Sequence, residues 1–442
     1  MTKAQTSRRL WALQLQQPLP AATVFDRIAF LFGAAAAVWL AVIILIQGVG
    51  SPWVAVWLVP VWAITAYLVL PRLHRLLSDF YLPEYFFGRT RTADGLLGDP
   101  VNLAMDGSAA QLDQVMTAAG WHRADEVTLA STWGIVVSTL ARRSYPTAPV
   151  SPLMLFGRRH DVAYQQEANG NPKQRHHVRF WHCPPGWLLP GGAKADWLAA
   201  ATYDRDIGIS FFTLQVTHRI DQNTDVERDY VVSSARSADP AVRVRVLRDF
   251  TAGYHARNGG GDRFVTDGDL PVVDVTAVDV PARGDSGETS RSAVGAATAG
   301  EMAARVPMST VVAVSVVLVG VVIQLLDLFG GADVRQLADG TAAGSGTVVA
   351  ALAIFGAFAI AQLVMAWLVL RGGRRSRAVL IVLLTVGILA MALDYLDGST
   401  VLGLDWTLLT ASVQCVALLA LSSESSGAWA RRRSRTGARL SG

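Results

Sequence analysis

Arginine and histidine alternate in the middle of the chain, where their spacing could create an anion-binding face. Within Gln174–Trp181 (QRHHVRFW), the residues Arg175, His177 and Arg179 are two positions apart. An extended backbone places such residues on one face of a strand. Guanidinium groups bind phosphate in a bidentate manner without losing a proton. The spacing therefore predicts an anion site. Two further arginines complete the candidate set: Arg158 and Arg228.

A second interpretation of this region is a divalent metal site, because imidazole and carboxylate groups are common metal ligands. The candidate ligands are His176, His177, His218, Asp221 and Asp225. Neighbouring strand residues point to opposite faces, so His176 and His177 cannot both line one pocket. The sequence also has no His-x-x-x-His motif. We therefore expect no metal and no other cofactor.

A third interpretation is a structural network of charged side chains on a partly buried sheet. The candidate polar cluster is His218, Asp221 and Asp225. In the structural network Arg219 and Arg228 pair with acidic neighbours, namely Asp221, Asp225, Glu227 and Asp229. Glu227 follows Thr224 at the spacing of a capping box and is expected to cap that helix. No serine or cysteine in a nucleophile motif accompanies these residues. Whether the site is catalytic is left open.

The elements that position these residues are predicted from hydrophobic periodicity between Gly98 and Ala277. The predicted helices are Ser108–Gly120 (with Gln111 at capping-box spacing), Leu129–Ala141 and Thr224–Ser237. The predicted strands are Val101–Met105, Leu153–Phe156, Val162–Gln166, His177–Trp181, Trp197–Thr202, Ile209–Gln215, Val242–Leu247 and Pro271–Thr276. A run of strands with few helices between them favours an α+β domain over a doubly wound sheet.

The rest of the chain has the composition of a membrane protein. Hydrophobic residues make up 51% of the sequence and charged residues 17%, against roughly a quarter charged in a soluble domain. A bilayer core about 30 Å thick needs about 20 apolar helical residues. The qualifying segments are Ile28–Ile46, Trp53–Leu70, Met308–Leu326, Val348–Leu370, Ala378–Leu393 and Leu402–Leu421. Pro60 predicts a kink in the second segment.

Arginine placement predicts the orientation of these spans. Arginines precede the first span, follow the second, separate the fourth from the fifth, and follow the sixth. The positive-inside rule then places both termini and the middle domain in the cytoplasm, where Cys183 and Cys415 stay reduced. The net charge of +4 reflects these flanks, so we expect no nucleic-acid partner. The arginine-rich, lysine-poor usage is typical of a bacterial chain, and the expected location is the bacterial cell (inner) membrane.

Several short stretches of the middle domain resemble one known family. They are Gly98–Ala104 (GDPVNLA), Ala118–Trp121 (AAGW), Phe156–Asp161 (FGRRHD), Gln174–Trp181, Ala200–Asp204 (AATYD), Thr217–Asp221 (THRID), Asp225–Asp229 (DVERD), Gly259–Asp262 (GGGD) and Thr266–Gly268 (TDG). On these residues the chain resembles the LssY C-terminal-like domain family of bacterial membrane proteins over about Gly98–Val275. The resemblance implies this domain in a membrane protein, and it implies no particular activity.

These observations predict an α-helical polytopic membrane protein with six transmembrane helices, arranged two plus four, and an inserted α+β cytoplasmic domain. The expected segments are a cytoplasmic N-terminal segment (1–27), a transmembrane hairpin (28–70), a juxtamembrane connector (71–97), the LssY-like domain (98–277), a flexible linker (278–305), four transmembrane helices (306–421) and a basic cytoplasmic tail (422–442).

Two functional hypotheses follow from this organisation. The first is a ligand-binding, partner-binding or accessory role. The alternative is a membrane-associated enzyme that acts on a phosphorylated or lipid-linked substrate through an Arg/His/Asp site. The expected partners are the lipid bilayer, a phosphorylated or anionic ligand, and membrane partner proteins or a second copy of the chain.

Overall fold

The computed structural model describes residues 21–49, 52–82, 86–125, 147, 150–168, 171–210, 213–251, 253–280, 306–330, 345–397, 406–423, 425–427 and 429–430. The chain forms two compact units, one from Met1–Leu68 with Thr298–Gly442 and the other from Val69–Ala297. The predicted helix Leu129–Ala141, most of the predicted linker and the arginines of the basic tail lie outside the described residues.

The helices of the described residues are α1 (Ala21–Val49), α2 (Val54–Ile64), α3 (Leu70–Tyr81), α4 (Ala109–Ala118), α5 (Thr224–Ala238), α6 (Met308–Gly330), α7 (Ser345–Leu370), α8 (Arg374–Leu396) and α9 (Trp406–Leu421). A π-helical turn, Thr65–Val69, lies between α2 and α3. Such turns occur where a helix accommodates an irregularity, and Pro60 lies inside α2. The kink itself stays a prediction.

Five helical segments are long and apolar enough to cross a membrane. They are Val24–Val49, Val54–Tyr81, Met308–Leu326, Leu352–Leu370 and Arg374–Leu396. Helix α9 is also apolar but is described over 16 residues, which is fewer than a full crossing needs. The prediction of apolar, membrane-type helices is therefore confirmed, while the count of six spans stays a prediction.

Two helix boundaries differ from those predicted. The helix that contains the second span continues beyond Leu70 to Tyr81, because the residues after Leu70 have amphipathic helical spacing instead of continuous apolar character. Helix α8 begins at Arg374 instead of Ala378. Arg377, which was expected in a turn, therefore belongs to the first turns of this helix.

Polar contacts bring several helix ends of the membrane-type unit together. The buried Arg377 side chain contacts Asp26 near the start of α1 and donates from Nε to the Leu421 carbonyl at the end of α9, at 2.9 Å. The hydroxyl oxygens of Ser309, near the start of α6, and Ser425, beyond α9, are 2.8 Å apart. The starts of α1, α6 and α8 and the end of α9 therefore lie at one end of this unit.

The second unit is rich in β-structure. Its strands are β1 (Arg89–Thr92), β2 (Leu97–Pro100), β3 (Leu103–Asp106), β4 (His122–Arg123), β5 (Leu153–Leu155), β6 (Arg158–Arg159), β7 (Val162–Ala168), β8 (Asn171–His182), β9 (Trp197–Ile209), β10 (Val216–Ile220), β11 (Arg243–Leu247), β12 (Tyr254–Arg257), β13 (Arg263–Thr266) and β14 (Leu270–Asp274).

An eight-stranded sheet is the centre of this unit. Seven strands follow the order β11-β14-β3-β9-β8-β7-β4, and β10 pairs with the outer part of β9. The β14–β3 pair is parallel, whereas β9 pairs antiparallel with β3, β8 and β10. A four-stranded sheet, β2-β1-β5-β6, and the β12–β13 hairpin complete the described strands.

Each face of the central sheet has its own apolar core. Val178 and Phe180 of β8 pack with Leu112 of α4 and Val231 of α5 on one face. On the other face, Trp181 packs in a second core with residues from β5, β9 and β14. Because β8 is covered on both sides for part of its length, the central sheet is a rigid support for any polar side chains beyond these cores.

The predicted elements differ from the observed ones in specific ways. Ser108 and Gln111 form the predicted capping box at the start of α4. The predicted strand Ile209–Gln215 is wrong, because β9 continues to Ile209 and the chain then turns back into β10. The strands that sequence analysis missed are polar, as in β1 (RTRT) and β12 (YHAR), so they lack the apolar alternation that predicts a strand.

Candidate functional site

A cleft of about 280 Å³ opens on the face of the central sheet opposite α4 and α5. Its floor comes from β8, β9 and β10, and its walls come from the turn between β1 and β2 and from the loop at Asn258–Gly260. The two walls approach closely, because a Cβ atom on Gly259 would lie 2.6 Å from Thr92 Cγ2. Only glycine allows this approach, so this loop has a structural role in closing the cleft.

Strand alternation and register bring the floor residues together. Arg175, His177 and Arg179 all line the cleft, as their spacing in β8 predicts. Their partners across the β8–β9 pair are Asp204, Thr202 and Ala200, in that order. His218 reaches the same cleft from β10.

Asp204 is shared by two histidines. Its Oδ2 atom lies 2.9 Å from His177 Nε2 and 3.3 Å from His218 Nδ1. Burial alone would raise the pKa of Asp204, but His177, His218 and Arg179 together lower it. The carboxylate is therefore held ionised in the interior of the cleft.

His218 is the more accessible of the two histidines, with 45% of its side chain exposed against 5% for His177. Burial lowers the pKa of His218, and the attraction of Asp204 opposes this. The neutral imidazole therefore prevails at neutral pH. With Nδ1 directed at Asp204, its Nε2 atom lies on the far side of the ring and can accept a proton or a hydrogen bond.

Arg179 is held by protein groups. Its guanidinium lies 3.4 Å from Asp99 Oδ2, and its Nε donates to the Ser151 carbonyl at 3.2 Å. Burial raises the pKa of Asp99, against the effect of Arg179. Asn258 also reaches Asp99, at 3.5 Å. The Arg179–Asp99 pair therefore places one positive and one negative group in the lining of the cleft.

Two buried polar atoms on the floor of the cleft have neither a hydrogen-bond nor an ion-pair partner among the described residues. They are His177 Nδ1 and Thr202 Oγ1, and their residues are 4% and 1% exposed. A buried polar group without a partner costs about 1–3 kcal/mol. These two atoms are therefore suited to hydrogen-bond a molecule that enters the cleft.

Two of the predicted arginines lie outside this cleft. Arg158 pairs with Asp161 and donates to the His182 carbonyl. Arg228 is buried beside Asp225, Asp229 and Asp267, at 3.2, 2.8 and 2.7 Å. Burial acts to lower the pKa of Arg228, but these aspartates raise it above its ordinary range. Both arginines have local protein partners, as in the structural interpretation.

The two predicted aspartates also lie outside the cleft lining. Asp221 accepts the Asn223 amide at 3.0 Å and lies 3.9 Å from Arg205. Asp225 accepts the Thr266 hydroxyl at 2.8 Å. Of the predicted polar cluster, His218 alone lines the cleft.

The prediction that Glu227 caps a helix is wrong. The N-cap of α5 is Asn223, whose side chain accepts the Asp225 amide. Glu227 instead contacts His176 Nδ1 at 2.7 Å on the opposite face of β8 from the cleft. The helix begins one residue earlier than a Thr224 cap requires, so Glu227 lies one position beyond the capping-box position.

Sequence analysis missed several residues of the cleft, namely Asp99, Thr202, Asp204 and Asn258. Asp204 and Thr202 belong to the quoted AATYD stretch, where their two-residue spacing would have placed them on one face. Their position opposite β8 depends on strand register, which a single sequence does not reveal.

No group of three metal-type ligands occurs among the residues that the structure describes. The two histidines of the cleft both approach the same oxygen of Asp204. In this arrangement both imidazole rings are directed at one carboxylate oxygen.

Comparison with known proteins agrees with the resemblance drawn from the sequence motifs. No curated protein and no solved structure matches the chain significantly. The family model described as the LssY C-terminus matches residues 80–270, a stretch that includes every residue of the cleft. The comparison therefore confirms the LssY C-terminal resemblance for this stretch, which is less than half of the chain.

Proposed function

We propose that this is a multi-pass membrane protein with six crossing helices, whose LssY-type domain faces the cytoplasm of a bacterial cell. The contacts of Arg377 and Ser309 support this topology, since they gather the starts of α1, α6 and α8 and the end of α9 at one end. The proposed topology has an even number of crossings before the domain in the sequence and an even number after it. These helix ends must then all lie on the side of the membrane that carries the domain. Arginines concentrate at the same helix ends, which favours the cytoplasmic side for them.

We further propose that the domain binds an anionic, phosphate-type ligand in the cleft. The observation that carries this proposal is the convergence of Arg175, His177 and His218 on one cleft, whose floor contains two buried polar atoms without a partner among the described residues. The acidic groups that line the cleft have protein partners. Asp99 lies beside Arg179, and both histidines contact Asp204. Asp94 interacts with the arginines of α3. The half-buried guanidinium of Arg175 lines the cleft, contacts Gln165 Oε1 at 3.5 Å, and can form charge-assisted hydrogen bonds with an incoming anion.

A second candidate function is acid–base catalysis on a phosphorylated or lipid-linked substrate. The His218–Asp204 pair favours it, because a carboxylate that orients a histidine is a common arrangement for a general base. His218 Nε2 would accept the proton of an attacking water or hydroxyl group. In this case the LssY-type domain would turn over the ligand that it binds.

Equilibrium dialysis of the full-length protein in detergent against radiolabelled phosphate, at constant ionic strength, tests the binding proposal. We expect saturable binding that weakens at least about tenfold in Arg175→Gln, since a charge-assisted hydrogen bond contributes about 1.5–3 kcal/mol. Arg236→Gln, on the exposed last turn of α5, is the matched control and should bind as the wild type does. Equal phosphate affinity of Arg175→Gln and Arg236→Gln would contradict the proposal.

A chromogenic phosphate monoester separates binding from catalysis. If the domain is an enzyme, the wild type releases the chromophore and His218→Gln loses turnover while it still binds phosphate. If the domain only binds, neither protein shows turnover.

A further inference from the structure

Helix α3 has an exposed apolar face. Leu73, Leu77, Phe80 and Tyr81 are 45%, 46%, 80% and 72% exposed. Their spacing places them within one stripe of the helix. Four large apolar side chains side by side are more than the scattered exposed residues of an ordinary surface.

The opposite side of α3 packs against the turn between β1 and β2. Ser78 is buried, and a Cβ atom on Gly95 would lie 3.1 Å from Ser78 Cβ and 3.5 Å from the Cα atom of Arg75. Asp94 of the same turn interacts electrostatically with His74, Arg75 and Arg72. The turn is therefore held to α3 by packing and by charge.

This turn is also a wall of the cleft. Thr92, Ala93, Asp94 and Leu96 line the cleft directly. Helix α3 and the cleft consequently share one short structural element. Whatever surface covers the apolar face of α3 is brought close to the cleft.

Chain continuity favours a lipid bilayer as that surface. The segment Val54–Tyr81 is one helical segment of 28 residues, whereas a crossing needs about 20. At about 1.5 Å per residue, its last turns extend past the hydrocarbon core. Aromatic residues such as Phe80 and Tyr81 together with arginines are typical of the headgroup layer.

We propose that α3 lies in the headgroup layer with its apolar face toward the acyl chains, and that the cleft binds the phosphate of an anionic phospholipid headgroup. The second part of this proposal rests on the proposed anion-binding function and names a lipid headgroup as the source of the bound anion. Arg175 would bind the headgroup phosphate, and the turn between β1 and β2 would hold the cleft at the membrane surface.

Spin labelling of the full chain in nanodiscs tests the placement of α3. In a background of Cys183→Ser and Cys415→Ser, one label is placed at Leu77→Cys and a matched label at Asp79→Cys, an exposed position away from the apolar stripe. We expect the Leu77 label to be relaxed by oxygen and the Asp79 label by a water-soluble nickel chelate. Equal relaxation of the two labels by the nickel chelate would overturn the placement of α3 in the headgroup layer. Shielding of the Leu77 label from both oxygen and the chelate would also overturn it.

Competition for radiolabelled phosphate tests the source of the ligand. Nanodiscs of phosphatidylcholine contain either phosphatidylglycerol or oleate at the same surface potential. We expect phosphatidylglycerol to weaken phosphate binding at least about tenfold relative to oleate. Equal binding in the two nanodiscs overturns the lipid source and leaves the anion site intact, whereas no phosphate binding even in detergent overturns the anion site itself.

Discussion

The two faces of β8 carry the same pair of chemical groups in different surroundings. His177 contacts Asp204 at 2.9 Å on the cleft face, and His176 contacts Glu227 at 2.7 Å on the helix face. His176 is stacked on Tyr230, with ring centroids 4.3 Å apart. One histidine–carboxylate pair therefore borders a cleft, while its neighbour lies beneath α5 among aromatic rings.

The two carboxylates differ because of what surrounds them. Asp204 receives a second histidine, His218, and its pKa is lowered although burial alone would raise it. Burial raises the pKa of Glu227, and the effect of His176 does not reverse this. The comparison teaches that a charged, solvent-accessible network is maintained on the cleft face, whereas the helix face disfavours charge.

Replacing each carboxylate by its amide gives the largest expected contrast. Ionised Asp204 stabilises the fold above the unfolded pKa of about 3.9, and this contribution is lost as the pH falls through its lowered folded value. At neutral pH, Asp204→Asn should therefore lower the free energy of unfolding by about 3–5 kcal/mol. Glu227→Gln should leave it within about 1 kcal/mol or raise it. Chemical denaturation followed by tryptophan fluorescence measures the free energy of unfolding of both variants. A larger loss of stability in Glu227→Gln than in Asp204→Asn would contradict the comparison.

Removing the helix-face histidine should affect stability and spare the cleft. His176→Ala loses the contact with Glu227 and the stacking on Tyr230, at a cost of about 2 kcal/mol. Phosphate affinity of the folded protein should stay within about twofold of the wild type. Denaturation and dialysis of the same preparation check the two expectations, and a loss of affinity equal to that of Arg175→Gln would show that the faces are coupled.

His160 is a histidine that pairs with no carboxylate among the residues that the structure describes. Burial, together with Arg179 and Arg159, lowers its pKa from 6.5 to about 3. The unfolded chain therefore binds the extra proton, and stability should fall as the pH decreases from about 6.5 towards about 3, by up to about 1.4 kcal/mol per pH unit. The denaturant concentration at the unfolding midpoint should fall less steeply with decreasing pH in His160→Phe than in the wild type. The same pH dependence in both proteins would contradict the assignment of this effect to His160.

The smallest expected effect concerns the protonation of His218. Its lowered pKa keeps it neutral at neutral pH, and an anion in the cleft favours the protonated form. Sulfate, whose charge is constant across the titration range of histidine, should therefore bind more tightly as the pH falls, by about tenfold or less. His218→Gln should remove most of this dependence in equilibrium dialysis. An unchanged profile would exclude His218 from the anion site.

Sequence analysis predicted the parts of this molecule that depend on local patterns. Apolar runs predicted the membrane-type helices, and alternation in β8 predicted that Arg175, His177 and Arg179 share a face. Asp204 was missed because its place opposite Arg175 arises from the pairing of β8 with β9. Arg228 was included for its residue type, although aspartates on α5 and beyond β13 engage it. Residue types alone reveal neither the register between paired strands nor the ion-pair partners of a charged side chain.

The most direct test of the contrast between the faces is NMR of the full chain with ¹⁵N-labelled histidine during titration with phosphate. The account predicts that the signals of His177 and His218 shift saturably while the signal of His176 stays in place. Single substitutions at each histidine assign the signals. Unchanged signals for all three histidines, or equal shifts at His176 and His177, would contradict an anion site on the cleft face.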